Sequence, residues 1–174
     1  AVKEEDLIQN LYVLSSHMQI LCFTTKGKVF WLKVYEIPVA SRTSKGRPLV
    51  NMLNLDDDES VSDILPVSEF SDDEYIFMAT KKGTTKKTSL SLFAKKYKSG
   101  IKAINLDDDD KLIGTAITSG NDEILLAASS GKLIRFNESH VRAMGRTARG
   151  VRGIRLKKDE KLISLMVGDP MKTI

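Results

Sequence analysis

The sequence predicts an all-β fold, a propeller-like array of four-stranded units. Three observations predict it: apolar segments of strand length rich in Val, Ile, Leu, Phe and Thr, the Gly, Asp and Ser clusters that bound them, and recurrence of the same order three times at a period of about fifty residues. Four short strands in a unit of that length are typical of blades that bury their faces against neighbouring blades. No long stretch of helical periodicity interrupts the pattern.

Each unit begins with an apolar strand, a glycine turn and a second strand. The three copies are ILCFTTKGKVFWL, YIFMATKKGTTKKTSL and ILLAASSGKLIRF. Their turn glycines, Gly27, Gly83 and Gly131, occupy a place where a tight hairpin needs positive φ, which glycine adopts at the least cost. We therefore predict a β-hairpin at the start of each unit.

A polar connection with its own glycine follows each hairpin and leads to a third strand that ends in leucine. These predicted third strands are PLVNMLNL, IKAINL and VRGIRL. An acidic turn comes next, and then a closing strand, VSDILPV, KLIGTAIT or KLISLMVG. The sequence thus predicts four strands per unit, in the same order each time.

The chain is predicted to be one domain, residues 1–174, with repeat units at about 17–67, 75–119 and 124–168. A strand at 7–16 resembles the closing strands although no unit precedes it, and residues 169–174 look like the start of a further unit. Exchange of strands between neighbouring units would explain the first of these features. We expect the chain to be a fragment of a larger ring.

The charge is distributed in phase with the repeat, although the net charge is only +4. Segments 41–47, 81–102 and 132–158 hold 20 of the 27 basic residues, whereas the acids collect in the turns at 56–59, 72–74 and 107–110. This pattern predicts that positive and negative charge lie on different edges of the fold. One charge run alone is usually a solvated surface, but three runs in register favour a ligand.

A ladder of basic patches along a curved edge suits a long polyanion, and we predict sequence-nonspecific binding and bending of duplex DNA. Arginines at every third position of GRTARGVRGIRL would contact phosphates in pairs of hydrogen bonds, and the glycines between them would allow a close approach of the backbone. The candidate DNA-binding residues are Arg42, Lys45, Arg47, Lys86, Lys87, Lys95, Lys96, Lys98, Lys102, Arg135, Arg142, Arg146, Arg149, Arg152 and Arg155.

No catalytic, metal-binding or cofactor-binding residue is predicted. The single Cys22 excludes a disulfide framework and a zinc site built from cysteines, and it fits a reducing cytoplasm. The two histidines have no partner at ligand spacing. We expect a monomeric module without enzymatic activity of its own.

The segment KEEDLIQNLYVLSSHMQILCFTTKGKVFWLKVYEIPVASRTSKGRPLVNMLNL closely resembles the first blade of the C-terminal domains of bacterial DNA gyrase A subunits, and GRTARGVRGIRL resembles their arginine-glycine element. The resemblance covers essentially the whole chain. It implies a β-pinwheel, a propeller-like disc with exchanged strands that wraps DNA in a positive sense around its outer rim. The usual disc has six blades, of which this chain holds about three, and the short basic box that precedes the domain in this family is not in the chain.

The resemblance also implies a parent enzyme. That enzyme would be a bacterial, cytoplasmic and nucleoid-associated type II topoisomerase that introduces negative supercoils. It would be a heterotetramer of two A and two B subunits, with ATP and Mg²⁺ bound by other domains and by the B subunit.

Two alternatives stay open at this point. The equivalent domain of topoisomerase IV has similar blades, and a protein-interaction β-propeller would have a different function on a related fold. The Trp-Asp signature of the commonest interaction propellers is absent, because Trp31 is the only tryptophan and leucine follows it.

Overall fold

The computed structural model describes residues 17–36 and 52–169, which form eleven β-strands in three antiparallel sheets. The strands are β1 (Gln19–Thr24), β2 (Lys28–Lys33), β3 (Val61–Val67), β4 (Tyr75–Thr80), β5 (Thr84–Ser89), β6 (Ile101–Lys102), β7 (Leu112–Thr118), β8 (Glu123–Ala128), β9 (Leu133–Asn137), β10 (Val151–Arg152) and β11 (Leu162–Gly168). Short 3₁₀ helices lie at Val34–Glu36, Leu90–Phe93 and Glu138–His140. The all-β prediction is confirmed.

The three predicted hairpins are present as β1–β2, β4–β5 and β8–β9. Each turn glycine has a positive φ, +78° at Gly27, +88° at Gly83 and +87° at Gly131, as a turn of this kind requires. The amide of Gly27 donates to the Thr24 carbonyl at 2.9 Å, and that of Gly83 donates to Thr80 at the same distance. The glycine signal in the sequence therefore gives the correct position and conformation of these turns.

Two of the three sheets contain a strand that comes from the following unit. Blade one has the order β3-β1-β2-β6 and blade two the order β10-β5-β4-β7, whereas blade three comprises β11-β8-β9. The exchanged strand β6 pairs Lys102 with Lys28, and β10 pairs Arg152 with Thr84. Strand exchange between units is thus confirmed.

The exchanged strands are shorter than predicted. Of IKAINL only Ile101 and Lys102 pair with β2, because Ala103 and Ile104 turn over the end of the hairpin and both donate to the Gly27 carbonyl, at 2.8 and 3.3 Å. In the next unit Gly153 and Ile154 make the same two contacts with Gly83. In the described part of the first unit, residues 52–55 form no strand either, and the rest of PLVNMLNL lies outside the described residues.

The closing strands lie together, β3 against β7 and β7 against β11. A side chain on Gly114 would come within 3.1 Å of Leu165 Cβ, so the two backbones approach closely there. Between blades one and two, the Thr115 amide donates to Asp63 Oδ2 at 3.1 Å, and burial raises the pKa of that carboxyl. The closing strands therefore form the inner edges of the blades, and β6 and β10 lie at the opposite edges, which we call the outer edge.

Apolar cores fill the spaces between the blades. Leu21 and Phe23 of β1 pack with Ile76 and Met78 of β4, while Phe77 on the other face of β4 packs with β8. On the far face of β1, the lone Cys22 is buried, and this burial raises the pKa of its thiol to about 12. Each of these cores combines residues from two neighbouring blades, so a single blade could not bury its apolar faces alone.

The predicted N-terminal strand at 7–16 and most of the segment 169–174 lie outside the described residues. None of the helices in the ranges 17–36 and 52–169 has the length and apolar character to cross a membrane.

Candidate nucleic-acid interface

Most of the predicted cations that the structure describes are exposed, and the exchanged strands carry two of them on the outer edge. Strand exchange places Lys102 in β6 and Arg152 in β10, and both side chains are exposed. Arg146 is half-buried. The other exposed members of the predicted set are Lys95, Lys96, Lys98, Arg135, Arg142, Arg149 and Arg155.

Two of the three glycines of GRTARGVRGIRL, Gly150 and Gly153, fit the backbone against blade two. Gly150 has a φ of +97°, and a Cβ at this position would collide with the Thr85 carbonyl oxygen. A Cβ on Gly153 would collide with the Thr85 side chain. The close approach that these glycines allow is therefore to strand β5, and the sequence interpretation, which assigned it to the ligand, is corrected here.

Two of the predicted DNA-binding residues, Lys86 and Lys87, lie inside the array. Lys86 is fully buried and Lys87 is 6% exposed, because neighbouring blades cover both faces of β5. Neither ammonium group can reach a phosphate, so the prediction is wrong for these two residues. The three candidates Arg42, Lys45 and Arg47 lie outside the described residues.

A signal for the burial of Lys86 exists in the repeat. When the hairpins are aligned on their turn glycines, Lys86 falls at the position of Phe30 and Ile134. Phe30 is buried and Ile134 packs against a core cluster, so this position faces the interior in each unit. The run KKGTTKK obscures the signal because it resembles a solvated surface.

The buried ammonium of Lys87 is matched by a buried carboxylate. Its Nζ lies 3.8 Å from Glu138 Oε1, and it donates to the Glu138 carbonyl at 3.2 Å. Glu138 also accepts hydrogen bonds from Thr118 Oγ1 at 2.8 Å and from the Asp122 amide at 2.9 Å. Since each member has a partner, this network can hold blades two and three together without an unpaired buried charge.

Lys86 has no carboxylate partner among the contacts of the described residues; its Nζ donates to the carbonyls of Ala103 at 2.7 Å and Arg146 at 2.5 Å. Burial, and secondarily the charge of Arg146, lowers the pKa of Lys86 from 10.5 to about 8. Lys86 thus links Ala103, which follows strand β6, to the arginine loop, residues 145–150.

The depressed pKa predicts a stability that rises with pH. Between pH 8 and 10.5 the unfolded chain still holds the proton that folded Lys86 has released, so unfolding takes up a proton and stability increases with pH. Below pH 8 Lys86 is charged in both the folded and the unfolded state. Unfolding then takes up no proton at this residue, and stability no longer changes with pH because of it. Measured by urea unfolding, the wild type should gain on the order of 2 kcal/mol over this window relative to Lys86→Met. Parallel pH curves for the two proteins would contradict this assignment.

Positive and negative charge are not separated at every point. Arg149 Nη1 lies 3.2 Å from Asp107 Oδ1, and Arg135 Nε lies 3.2 Å from Glu123 Oε2. At Arg149 the predicted segregation is wrong because β10 crosses back to blade two and lies beside the acidic turn 107–110, and at Arg135 it is wrong because Glu123 lies on the neighbouring strand of the same hairpin. The Arg149–Asp107 pair is 72% and 62% exposed, and an exposed pair of this kind contributes roughly 0–1 kcal/mol. Its arginine can therefore exchange a carboxylate for a phosphate at little cost.

No group of three or more His, Cys, Asp or Glu side chains in the described ranges is arranged to hold a metal ion. The acidic turns instead bind lysines, as where Lys26 lies 2.6 Å from Asp58 and lowers the pKa of its carboxyl. Sequence reasoning assigned no metal to these turns.

The chain matches a protein-family model described as "DNA gyrase C-terminal domain, beta-propeller" three times, at residues 19–68, 74–119 and 122–169. It is 51% identical over 166 residues to the DNA gyrase A subunit of Salmonella typhimurium, a match that covers 95% of this chain and 19% of that protein. With the DNA gyrase A subunit of Buchnera aphidicola it shares 53% identity over 165 residues, 95% of this chain and 20% of the relative. The chain thus spans about a fifth of the length of these curated relatives.

Two solved structures have the same fold. The C-terminal domain of a DNA topoisomerase IV superposes with a TM-score of 0.81 at 29% identity, covering 88% of this chain and 48% of that one. A DNA gyrase A C-terminal domain gives a TM-score of 0.72 at 23% identity, covering 88% and 49%. Sequence identity is higher with the gyrase A subunits than with this topoisomerase IV domain. From the three family matches, the exchanged strands and these relatives, we conclude that the chain belongs to the family of DNA gyrase C-terminal domains.

Proposed function

We propose that this module binds duplex DNA without sequence preference and bends it around the outer edge. One observation carries the proposal: the exchanged strands β6 and β10 occupy equivalent edges of successive blades and carry Lys102 and Arg152 there, both exposed. Cations therefore recur along the edge at the spacing of the blades. A single patch could hold a duplex, but it could not fix its curvature.

Bending a DNA duplex costs free energy, which the protein must offset. Curving 20–30 base pairs by 40–90° costs about 1–6 kcal/mol, which contacts with phosphates on successive blades can offset through counterion release. The buried networks of Lys86 and of Lys87 with Glu138 support this role, because they keep neighbouring blades in a fixed relation. A rigid edge imposes its own curvature on the duplex.

Sequence preference is not expected. The helices of the described residues are 3₁₀ segments of three or four residues, too short to read base edges in a major groove. The exposed cations are lysines and arginines suited to phosphate oxygens, with arginine capable of two parallel hydrogen bonds.

The similarity to DNA gyrase A subunits supports a proposal about the enzyme to which this module belongs. We propose that the module belongs to a bacterial, ATP-dependent type II topoisomerase, as part of the A chain of a DNA gyrase, and acts beside two B subunits and a second copy of the A chain. ATP and Mg²⁺ would act in other domains, and the module would present the wrapped duplex for strand passage. None of the four tyrosines, Tyr12, Tyr35, Tyr75 and Tyr97, is proposed to be a catalytic residue.

Ligation of nicked circular DNA tests the proposal. With the chain bound, closing the nick and removing the protein should shift the topoisomers toward positive linking difference, because a positive wrap is fixed by ligation. The shift should grow with bound protein and should be smaller than that caused by a complete domain of the same family. An unchanged distribution at saturating protein would overturn wrapping, and failure to bind duplex at about 50 mM salt would favour a protein-interaction propeller.

A further inference from the structure

Tyr97 lies at the outer edge where three units meet. Its ring is 5.9 Å from that of Trp31 in blade one, with the planes inclined by 49°. The Arg146 guanidinium from the third unit lies 5.6 Å from the Tyr97 centroid, and Lys95 Nζ from the second unit lies 5.4 Å away. One half-buried aromatic ring thus has two cations over it.

The ring itself is held firmly. Trp31 Nε1 donates to the Phe93 carbonyl at 2.9 Å, which attaches the start of the segment 93–100 to blade one. At its other end the Gly100 amide donates to the Tyr97 carbonyl at 3.1 Å, and Gly100 packs so closely on the Phe30 ring that a Cβ would lie 2.7 Å from it. The segment that carries Tyr97 is therefore attached at both ends, and its ring lies against Trp31.

Arg146 is held at two points. Its guanidinium lies over Tyr97, and its carbonyl accepts the hydrogen bond from the buried Lys86. In the described part of the chain, no ring contact or ion pair involves Lys96, Lys98, Arg142 or Arg155. Arg146 is thus more constrained than these other cations of the edge.

Two like charges on one ring, without a carboxylate among their described contacts, form a site for an anion. The Tyr97 ring offsets the positive charge of each cation only in part. A phosphate oxygen would supply the countercharge that these two cations lack. Immobilising a free long side chain on binding costs roughly two- to tenfold in affinity, a loss that a side chain already in place avoids.

We propose that Tyr97 is a positioning residue that holds Lys95 and Arg146 ready for phosphate contact, which makes this pair the anchor of the outer edge. The proposal rests on the proposed DNA binding. The ring acts through its π face, so the hydroxyl is dispensable. Tyr97→Phe should bind duplex DNA like the wild type, and Tyr97→Leu should bind about two- to fivefold more weakly at low salt.

Non-additivity separates positioning from a merely structural effect. In a chain that carries Lys95→Ala and Arg146→Ala, adding Tyr97→Leu should cause no further loss, because the groups it positions are gone. In the matched background Arg142→Ala with Arg155→Ala, the same substitution should cause its full loss. Binding would be measured by fluorescence anisotropy of a duplex, with the 174-residue chain.

Several results would overturn the proposal. They are equal losses from Tyr97→Leu in both backgrounds, wild-type affinity of Tyr97→Leu, or a Tyr97→Phe variant as weak as Tyr97→Leu. Should Tyr97→Leu not fold, pentafluorophenylalanine at position 97 keeps the shape of the ring but removes its negative face; it should bind weakly, and wild-type binding would reject the proposal. Absence of duplex binding by the wild type would instead reject the proposed function itself.

Discussion

Replacing Arg146, Arg149 and Arg152 together by alanine should weaken duplex binding about 10- to 100-fold at about 50 mM salt and reduce the slope of log affinity against log salt by about three. Arg152 lies in the exchanged strand β10 on the outer edge, and Arg146 and Arg149 lie in the arginine loop that leads to it. Each phosphate contact releases a counterion, and removal of three contacts removes three such terms. Anisotropy titrations between about 50 and 200 mM salt measure both quantities.

The stability of the triple variant should change little. Arg149 and Arg152 are exposed, and so is the ion pair of Arg149 with Asp107. Arg146 is half-buried, but alanine keeps the main-chain carbonyl that accepts the hydrogen bond from Lys86. A matched control removes the same charge from lysines outside the candidate set, by Lys157→Ala, Lys158→Ala and Lys161→Ala, all exposed in the structure. If this control loses as much affinity as the arginine variant, binding follows net charge and the assignment of the outer edge is wrong.

Most of the fold is encoded in local patterns and could be predicted from them. Positive-φ glycines mark the hairpin turns, and the period of about fifty residues gives the units. The two-residue length of β6 and β10 could not be predicted, because it is set where Ala103 and Gly153 turn onto the carbonyls of the preceding hairpin. Such a contact joins residues that are distant in the sequence.

The site was predictable in outline, but individual side chains were not. Lys102 and Arg152 are at the outer edge as expected, whereas Lys86 and Lys87 are buried. A run of charge does not reveal which face a neighbouring blade covers, and only the alignment with Phe30 and Ile134 indicates it. The pair of Arg149 with Asp107 depends on strand exchange and has no local signal.

Strand exchange itself can be tested with three glycine substitutions that differ in one factor at a time. Gly145 has no positive φ, and a Cβ there would contact nothing within 4 Å, so Gly145→Ala should change the free energy of unfolding by less than about 0.5 kcal/mol. Gly131 has a φ of +87° and equally open surroundings, so Gly131→Ala should cost about 1–2 kcal/mol through backbone strain alone.

Gly150→Ala should have the largest effect on stability, about 2–5 kcal/mol, because overpacking adds to the same strain. Its φ is +97°, and the new Cβ would collide with the Thr85 carbonyl oxygen of β5, the strand with which β10 pairs. Urea unfolding gives the three free energies, and hydrogen exchange at Val151 and Arg152 reports whether β10 has left the sheet. A loss equal to that of Gly131→Ala, with β10 still protected, would show that the connection accommodates a methyl group here. If β10 does leave, Arg149 and Arg152 lose their fixed place on the outer edge, so DNA affinity should fall even though every cation is still present.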